Sequence, residues 1–302
     1  MKFSIVIPIK GTTDELKLVP RTLPSYYAVK PSELVISIDD PPEDERIIPK
    51  IESIMKSHHA EELTRILKIK VGDGRWNDQQ MKARHTGFLK AKYNRILTGD
   101  IDLVINKNVL KTIRLVGKNN VGLVSCSKLR VPHDFLSLYR LFSDTLLTKV
   151  VHHFTRHFGA TSFAGLYTVW KPYWIEVEPV ELAKKFVKLK AKVRDGKPVD
   201  MVDFYGAGDD TYLRDLMIEK YRCVYLRDIG GIVLTDPWEE RPIIQYGKGV
   251  YFAGQGRKLV VSLGRAIIRV QPYYFCGYIH GRRIKDAEKV EFAWSHTMKG
   301  GA

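Results

Sequence analysis

Four short apolar runs in the first third of the chain alternate with stretches of helical character, and this alternation limits the fold more than any other feature. The runs are FSIVIPI (3–9), ELVISIDD (33–40), ILKIKVG (66–72) and RILTGDID (95–102). Runs of this length that are rich in β-branched side chains are typical of strands buried on both faces of a parallel sheet. Strands that alternate with helices predict an open α/β sheet.

The elements between and after these strands are predicted from local patterns. A loop and a helix interrupted by Pro20 and Pro24 are predicted over 12–27, a helix from Glu45 to about Ile66, and a helix that starts at Asn77, a good N-cap. Beyond residue 109 the pattern is mixed. Strands are predicted over 121–129, 161–170 and 222–230, and a helix over 209–221.

The predicted organisation is a domain over 1–240 with a basic extension over 241–302. The domain divides into two halves, about 1–108 and about 109–240. The fold class is a Rossmann-like, mixed and mostly parallel sheet flanked by helices, followed by a basic helical extension.

A proline and four aspartates fall at the carboxyl ends of the predicted strands, which is where open α/β sheets bind ligands. They are Pro8, Asp39, Asp40, Asp100 and Asp102. Asp100 and Asp102 have two interpretations: aspartates often end a strand and begin a turn, but two carboxylates one residue apart also share a hard divalent cation well. Such a cation bridges a diphosphate and stabilises it as a leaving group.

Four segments resemble the motifs of family 2 glycosyltransferases, in the same order and at similar spacing. They are FSIVIPIKGTTDEL (3–16), ELVISIDD (33–40), MKARHTGFLKAKYNRILTGDID (81–102) and YGAGDDTYLRDLMIEKYRCVYL (205–226). The resemblance covers roughly residues 3 to 235. It implies the GT-A fold and transfer of a sugar from a nucleotide-diphosphate sugar with inversion at the anomeric carbon. Residues 1–240 would then be the catalytic domain, with a nucleotide-binding half over about 1–108 and an acceptor half over about 109–240.

The resemblance also implies roles for the residues that bind the donor. Pro8, Ile9 and Lys10 would line the nucleobase, Asp39 or Asp40 would contact base or ribose, and Arg84 would contact the nucleotide. Asp100 and Asp102 would hold Mg²⁺ or Mn²⁺ on the diphosphate. The histidine that often supplies a further ligand in the family is absent from GIVLTDPW (231–238), where Asp236 would replace it as a metal ligand.

On the acceptor side the resemblance makes Asp210 the catalytic base, with Asp209 beside it. The pair stands where the family has Glu-Asp, and His85 stands where the family has Asn. A helix N-terminus that favours acids explains the pair equally well. If the acceptor is a lipid phosphate, which is already anionic, Asp210 orients the acceptor instead of deprotonating it. Tyr167, Trp170 and Trp174 could stack on an acceptor sugar, although core packing is the alternative for each.

The formal charge of +15 indicates a polyanionic partner: a nucleic acid, an anionic membrane or a phosphorylated substrate. The three cysteines are far apart and contain no CxxC pair, which disfavours a zinc ribbon or a disulfide framework. The first apolar run is too short for a signal peptide, and no run is long enough to cross a bilayer. We therefore expect a cytoplasmic protein, peripheral at the cytoplasmic membrane face.

The extension contains RKLVVSLGRAIIRV (257–270), in which basic and apolar residues fall on different faces of a helix. The basic face carries Lys258, Ser262, Arg265 and Arg269, and the apolar face carries Leu259, Leu263, Ile267 and Val270. Docking on an anionic membrane interface and packing on the catalytic domain remain equal alternatives.

The sequence thus predicts a metal-dependent inverting glycosyltransferase that uses a UDP- or GDP-sugar and a glycan or lipid-linked acceptor, with no nucleic-acid partner. The alternatives are a polyprenyl-phosphate sugar synthase of the same family, a sugar-phosphate nucleotidyltransferase and a basic nucleic-acid-binding protein. The nucleotidyltransferase would want a Gly-rich loop near the N-terminus, which PIKGTTDEL (8–16) does not supply.

Overall fold

The computed structural model describes residues 1–70, 76–130, 166–177, 220–234, 259–268 and 270–283, with a few single residues between 135 and 253. The chain divides into two compact units. The first comprises Met1–Val131, Phe158–Leu182 and Gly208–Leu234, and the second comprises Pro132–His157, Ala183–Ala207 and Thr235–Ala302. The predicted boundary near residue 240 stays a prediction.

The first unit contains one mixed sheet of eight described strands. They are β1 (Ser4–Ile9), β2 (Glu33–Asp39), β3 (Thr64–Ile69), β4 (Arg95–Gly99), β5 (Leu103–Ile105), β6 (Val121–Arg130), β7 (Leu166–Trp170) and β8 (Arg222–Val233). Their order is β3-β2-β1-β4-β7-β6-β8-β5. Strands β1 to β4 are parallel to one another, as are β6 and β8, while β7 is antiparallel to β4 and β6, and β5 is antiparallel to β8.

The described helices are α1 (Thr13–Ala28), α2 (Ile47–Ser57), α3 (Trp76–Lys90), α4 (Val109–Leu115), α5 (Lys171–Glu176), α6 (Leu259–Ile268) and α7 (Pro272–Gly281). α1 is continuous across Pro20 and Pro24, and a capping box of Thr12 and Glu15 begins it. The helix predicted to reach Ile66 instead ends at Ser57, and β3 begins at Thr64. None of the helices described is long and apolar enough to cross a membrane.

The apolar runs lie between two layers of helices, as their composition predicts. Ile5 and Ile7 of β1 pack on one face of the sheet with residues of α1 and α2, whereas Val6 packs on the other face with Phe88 of α3. All six residues of β1 are buried. The mixed, mostly parallel α/β sheet predicted from the sequence is therefore confirmed.

Candidate functional site

The candidate site lies at the carboxyl ends of β1, β2 and β4, where the strand order reverses. The chain passes from β1 to β2 on one side of β1, but β4 pairs with its other side, in register from Ser4↔Ile96 to Val6↔Thr98. A reversal of this kind opens a crevice at the strand ends, where ligands of α/β sheets bind. Asp39 ends β2 and Asp100 follows β4, two strands away, so the two are separated by roughly 10 Å across the sheet.

Asp100 forms an ion pair with Arg84 of α3. An Nη2–H of Arg84 donates to Oδ1 of Asp100 at 2.7 Å. The Arg84 side chain is almost fully buried, whereas that of Asp100 remains 30% exposed. A buried guanidinium needs a partner because an uncompensated charge in the interior is costly. The pair therefore fixes the Asp100 carboxylate at the mouth of the crevice, with one side open to solvent.

The backbone around Asp100 and Asp102 is held by three hydrogen bonds. The Asp100 carbonyl accepts from the N–H of Leu103 at 3.1 Å, which closes a turn, and the Asp102 carbonyl accepts from the N–H of Leu234 at 2.9 Å. Between the two aspartates, Ile101 is buried in the core, while both aspartates are partly exposed. Anchoring Ile101 keeps the two carboxylates at the surface.

Tyr26 supplies the third bond and was not predicted as a site residue. Its hydroxyl donates to the Asp100 carbonyl at 2.9 Å, and the whole side chain is buried. Burial raises the pKa of Tyr26 well above its usual value, and the charges of Asp100 and Asp102 raise it further. Gly99 allows this approach, because a Cβ there would lie 2.5 Å from the Tyr26 hydroxyl. The only sequence signal is that Tyr26 shares a helical face with buried Val19 and Leu23.

The loop after β1 is fixed by Glu15 of α1. The N–H groups of Lys10, Gly11 and Thr12 donate to the Glu15 carboxylate at 3.3, 2.7 and 2.9 Å. Burial raises the pKa of Glu15, although these backbone bonds oppose the shift. Gly11 has φ of +88° and approaches Pro42 so closely that a Cβ would lie 2.4 Å away. The loops after β1 and β2 are therefore packed tightly against each other.

The residues predicted to contact the base or the ribose differ in their exposure to solvent. Pro8 and Ile9 are buried strand residues, and Lys10 is partly exposed with its Nζ 2.5 Å from the carboxylate of Glu43. Asp39 and Asp40 are both partly exposed, and an Asp39 oxygen accepts from the Asp40 N–H at 2.9 Å. Lys10, Asp39 and Asp40 are thus the predicted base and ribose residues whose side chains solvent reaches.

His85, the residue after Arg84 in α3, is half-buried and contacts Trp174 of the core. Its Nδ1 accepts from Nε1–H of Trp174 at 2.9 Å, and burial lowers its pKa to about 4. It is therefore neutral near pH 7. Trp174 also packs edge-on against Phe88, with 4.6 Å between ring centroids.

The three aromatics predicted to face an acceptor do not share one position. Tyr167 and Trp174 are buried, which is the core packing that the sequence left as the alternative. Trp170 pairs with Arg95 at the amino end of β4, whereas Asp100 follows the carboxyl end. Five residues of strand separate the two ends, roughly 15 Å. The structure therefore does not bring Trp170 to Asp100, because β7 runs antiparallel to β4.

Asp209, Asp210 and Asp236 lie outside the described residues. Within the part of the chain that is described, no group of three or more acidic, histidine or cysteine side chains could hold a metal ion. Asp100 and Asp102 nevertheless offer oxygen donors on one turn, of the kind that Mg²⁺ and Mn²⁺ prefer. Such a two-carboxylate donor set fits an ion whose remaining ligands are phosphate oxygens and water.

Comparison with known proteins finds similarity in structure only. No family model matches the sequence, and no curated protein matches it. Among solved structures, the chain is similar to a mannosyltransferase from Pyrobaculum calidifontis in complex with GDP-Man and Mn²⁺. The TM-score is 0.50 and the sequence identity 17%, and the match covers 98% of this chain and 73% of that chain. This likeness assigns the GT-A-like glycosyltransferase fold.

Weaker likenesses extend to two further transferases. TarS from S. aureus matches at a TM-score of 0.46 and 13% identity, covering 99% of this chain and 89% of that chain. Glucosyl-3-phosphoglycerate synthase from Mycobacterium tuberculosis matches at a TM-score of 0.43 and 10% identity, covering 84% of this chain and 78% of that chain.

Proposed function

We propose that this chain is a metal-dependent glycosyltransferase that takes a sugar from a nucleotide-diphosphate sugar and inverts the anomeric centre. The observation that carries the proposal is the Arg84–Asp100 ion pair beside Asp102, at the point where the strand order of the sheet reverses. A buried cation next to two partly exposed carboxylates is an unusual arrangement for a strand end that only turns the chain. It suits a site that must hold a diphosphate and its counter-ion.

In the donor half of the site, residues at the ends of three strands would contact different parts of the nucleotide. Asp39 or Asp40 would accept a hydrogen bond from base or ribose, and Lys10 lies on the neighbouring strand end. Arg84 would fix the Asp100 carboxylate before the donor arrives, so less ordering is needed on binding. Asp100 and Asp102 would hold Mg²⁺ or Mn²⁺, which offsets the charge of the diphosphate as it leaves. The mannosyltransferase of similar fold is in complex with GDP-Man and Mn²⁺, which supports this choice of ligands.

The acceptor half would supply the base. As the acceptor oxygen forms its bond to the anomeric carbon, the bond from that carbon to the diphosphate oxygen breaks and the hydroxyl proton passes to Asp210. Asp209 would stand beside it, and Asp236 would be the further metal ligand. The acceptor is a glycan or a lipid-linked saccharide. The cytoplasmic, membrane-peripheral location and the assignment to family 2 also stay predictions.

A thermal-shift panel of UDP, GDP, CDP and dTDP, each with and without Mn²⁺, tests the proposal. One diphosphate should raise the melting temperature by about 5 °C at a concentration near one hundred times its dissociation constant, and only with the metal. Asp102→Ala should abolish this rise, because it removes one carboxylate while its backbone bond to Leu234 remains possible.

Glu52→Ala is the matched control, because it removes an exposed carboxylate from α2. It should respond to the diphosphate as the unmodified chain does. Equal, metal-independent shifts with all four nucleotides would contradict the proposal. So would a full response in the Asp102→Ala variant.

A further inference from the structure

Helix α6 in the second unit exposes its large apolar side chains and buries its small ones. Ser262 and Ala266 are buried, whereas Val260 and Ile267 are 80% and 64% exposed. Leu259 and Leu263 are also exposed. The sequence predicted an apolar face that includes Leu259, Leu263 and Ile267 and a polar face that includes Ser262. In the structure, the apolar face with Leu259, Leu263 and Ile267 is exposed to solvent, and Ser262 of the polar face is buried.

A second helical segment of the same unit shows the same exposure. Phe135, Leu138, Tyr139 and Phe142 are helical, and their spacing of three, four and seven residues places them on one face. All four are exposed, Phe135 by 84%. Tyr273, at the start of α7, is exposed as well. Large apolar side chains left open to water on helical residues of this unit indicate contact with a partner.

The charge around α6 identifies the kind of partner. Residues 257–285 contain seven basic side chains and no acidic one: Arg257, Lys258, Arg265, Arg269, Arg282, Arg283 and Lys285. Of these, Arg282 and Arg283 are described at the end of α7 and are exposed. Exposed aliphatic and aromatic side chains, in a segment whose sequence carries an excess of positive charge, are complementary to a bilayer with anionic headgroups. A nucleic acid would match the charge but would leave Val260, Leu263 and Ile267 in water.

We propose that the second unit docks on anionic lipid bilayers through this surface, with α6 lying in the interface and its Val260–Ile267 face among the acyl chains. The ten residues of α6 rise about 15 Å, half the thickness of the hydrocarbon core, so the helix lies along the bilayer. The exposed Arg282 and Arg283 contact the headgroups, and Phe135 and Phe142 also insert. This inference is independent of the catalytic proposal.

Co-sedimentation of the full chain with vesicles tests the inference. We expect strong binding to vesicles of equal parts phosphatidylcholine and phosphatidylglycerol, and little binding to phosphatidylcholine alone. The double variant Val260→Gln/Ile267→Gln should weaken binding about tenfold or more, because it removes the inserted side chains without changing charge. Both residues are mostly exposed, so the variant should keep the melting temperature of the parent chain.

Two further variants complete the test. Phe135→Gln/Phe142→Gln should also weaken binding, and Leu89→Gln/Leu115→Gln, which replaces two exposed leucines of the first unit, should not. No binding to the anionic vesicles would overturn the proposal. If all three variants bind the anionic vesicles as the parent chain does, the proposal is also overturned, because the binding is then electrostatic only. Self-association that Val260→Gln/Ile267→Gln abolishes, without vesicle binding, would assign the face to a second copy of the chain instead.

Discussion

Asp100 shows how a single residue can serve both the fold and the site. Its carbonyl accepts from Tyr26 and Leu103, and its carboxylate pairs with Arg84. Each of these contacts also stabilises the turn that follows β4. Together they leave a carboxylate whose position is fixed before any ligand binds. This arrangement reduces the ordering that binding would otherwise require.

His85 gives the fold a dependence on pH that can be measured. Its folded pKa is about 4, because burial disfavours the charged ring, against about 6.5 when unfolded. Between these values the unfolded chain binds more protons than the folded one. Stability is therefore complete above pH 6.5 and is lost as the pH falls towards 4, by about 1–2 kcal/mol after allowance for partial exposure.

The variant His85→Asn should remove this part of the pH dependence, because asparagine does not titrate and its amide oxygen takes the position of Nδ1, where it can still accept from Trp174. Urea unfolding at a series of pH values between 4.5 and 7 measures it. His58→Gln, an exposed histidine after α2, is the control and should keep the parent slope. The prediction for His85 fails if, in both variants, the free energy of unfolding changes with pH as it does in the parent chain.

The roles of single aromatic residues were the hardest to predict. Tyr167 and Trp174 could equally have been stacking platforms or core residues, because both uses put aromatics on a strand or a short helix. Burial decides between them, and burial depends on the register of β7 against β4 and β6. Tyr26 is the opposite case, since nothing in its local sequence shows that its hydroxyl reaches a carbonyl 74 residues away.

At the scale of elements, α3 positions Arg84 by packing closely on β1 and β2. Gly87 forms the contact: a Cβ there would lie 2.4 Å from Val6 Cγ1 and 2.6 Å from Ser37 Oγ. Arg84 is one turn earlier on the helix and reaches Asp100 from there. The distance between helix and sheet therefore determines whether the ion pair can form.

Gly87→Ala should destabilise the chain by about 1–3 kcal/mol, because the added methyl group has no space between α3 and the sheet. This loss outweighs the helix propensity of alanine, which favours the variant by about 1 kcal/mol. Gly264→Ala, in α6, should instead stabilise it by about 0.5–1 kcal/mol, since no atom lies within 4 Å of the added carbon. Thermal and urea unfolding of both variants give these opposite signs. Gly87→Ala should also weaken the response to nucleoside diphosphate; stability equal to that of Gly264→Ala would contradict the packing argument.

Strands were predicted more reliably than the ends of helices. The apolar runs of β1, β2 and β4 are bounded by proline, glycine or aspartate, which mark where a strand stops. The stretch after α2 has no such marker. Leu63 and Ile66 continue the apolar pattern of the helix, so periodicity alone extends it past Ser57 into β3.

For the whole molecule, the sequence predicted the four strands of the parallel half of the sheet but not their order. β1, β2 and β3 follow one another in space as in sequence, whereas β4 pairs with the other side of β1. β7 inserts between β4 and β6, antiparallel to both. Its pairs with β4 join residues 67 to 75 positions apart along the chain, from Gly99↔Leu166 to Arg95↔Trp170, and its pairs with β6 join residues 42 to 46 positions apart, from Ser125↔Tyr167 to Leu123↔Val169. No local pattern specifies that pairing. The prediction for Trp170 depended on it.

Donor binding and sugar transfer should be separable in this molecule, because the proposed residues for each come from different parts of the chain. Asp100 and Asp102 follow β4, whereas Asp210 belongs to the segment before β8. Asp210→Asn should keep the metal-dependent response to the diphosphate, while turnover to a hydroxyl acceptor falls by about 10²–10⁴-fold with the base removed. An initial-rate assay with the nucleotide-sugar chosen by the thermal panel measures this.

Asp209→Asn is the matched control, since it removes the neighbouring charge and leaves the base. It should reduce turnover less than Asp210→Asn. Unchanged turnover in Asp210→Asn would remove its role as the base. If turnover persists only with a lipid phosphate, the acceptor is already anionic, and Asp210 then orients the acceptor without taking its proton.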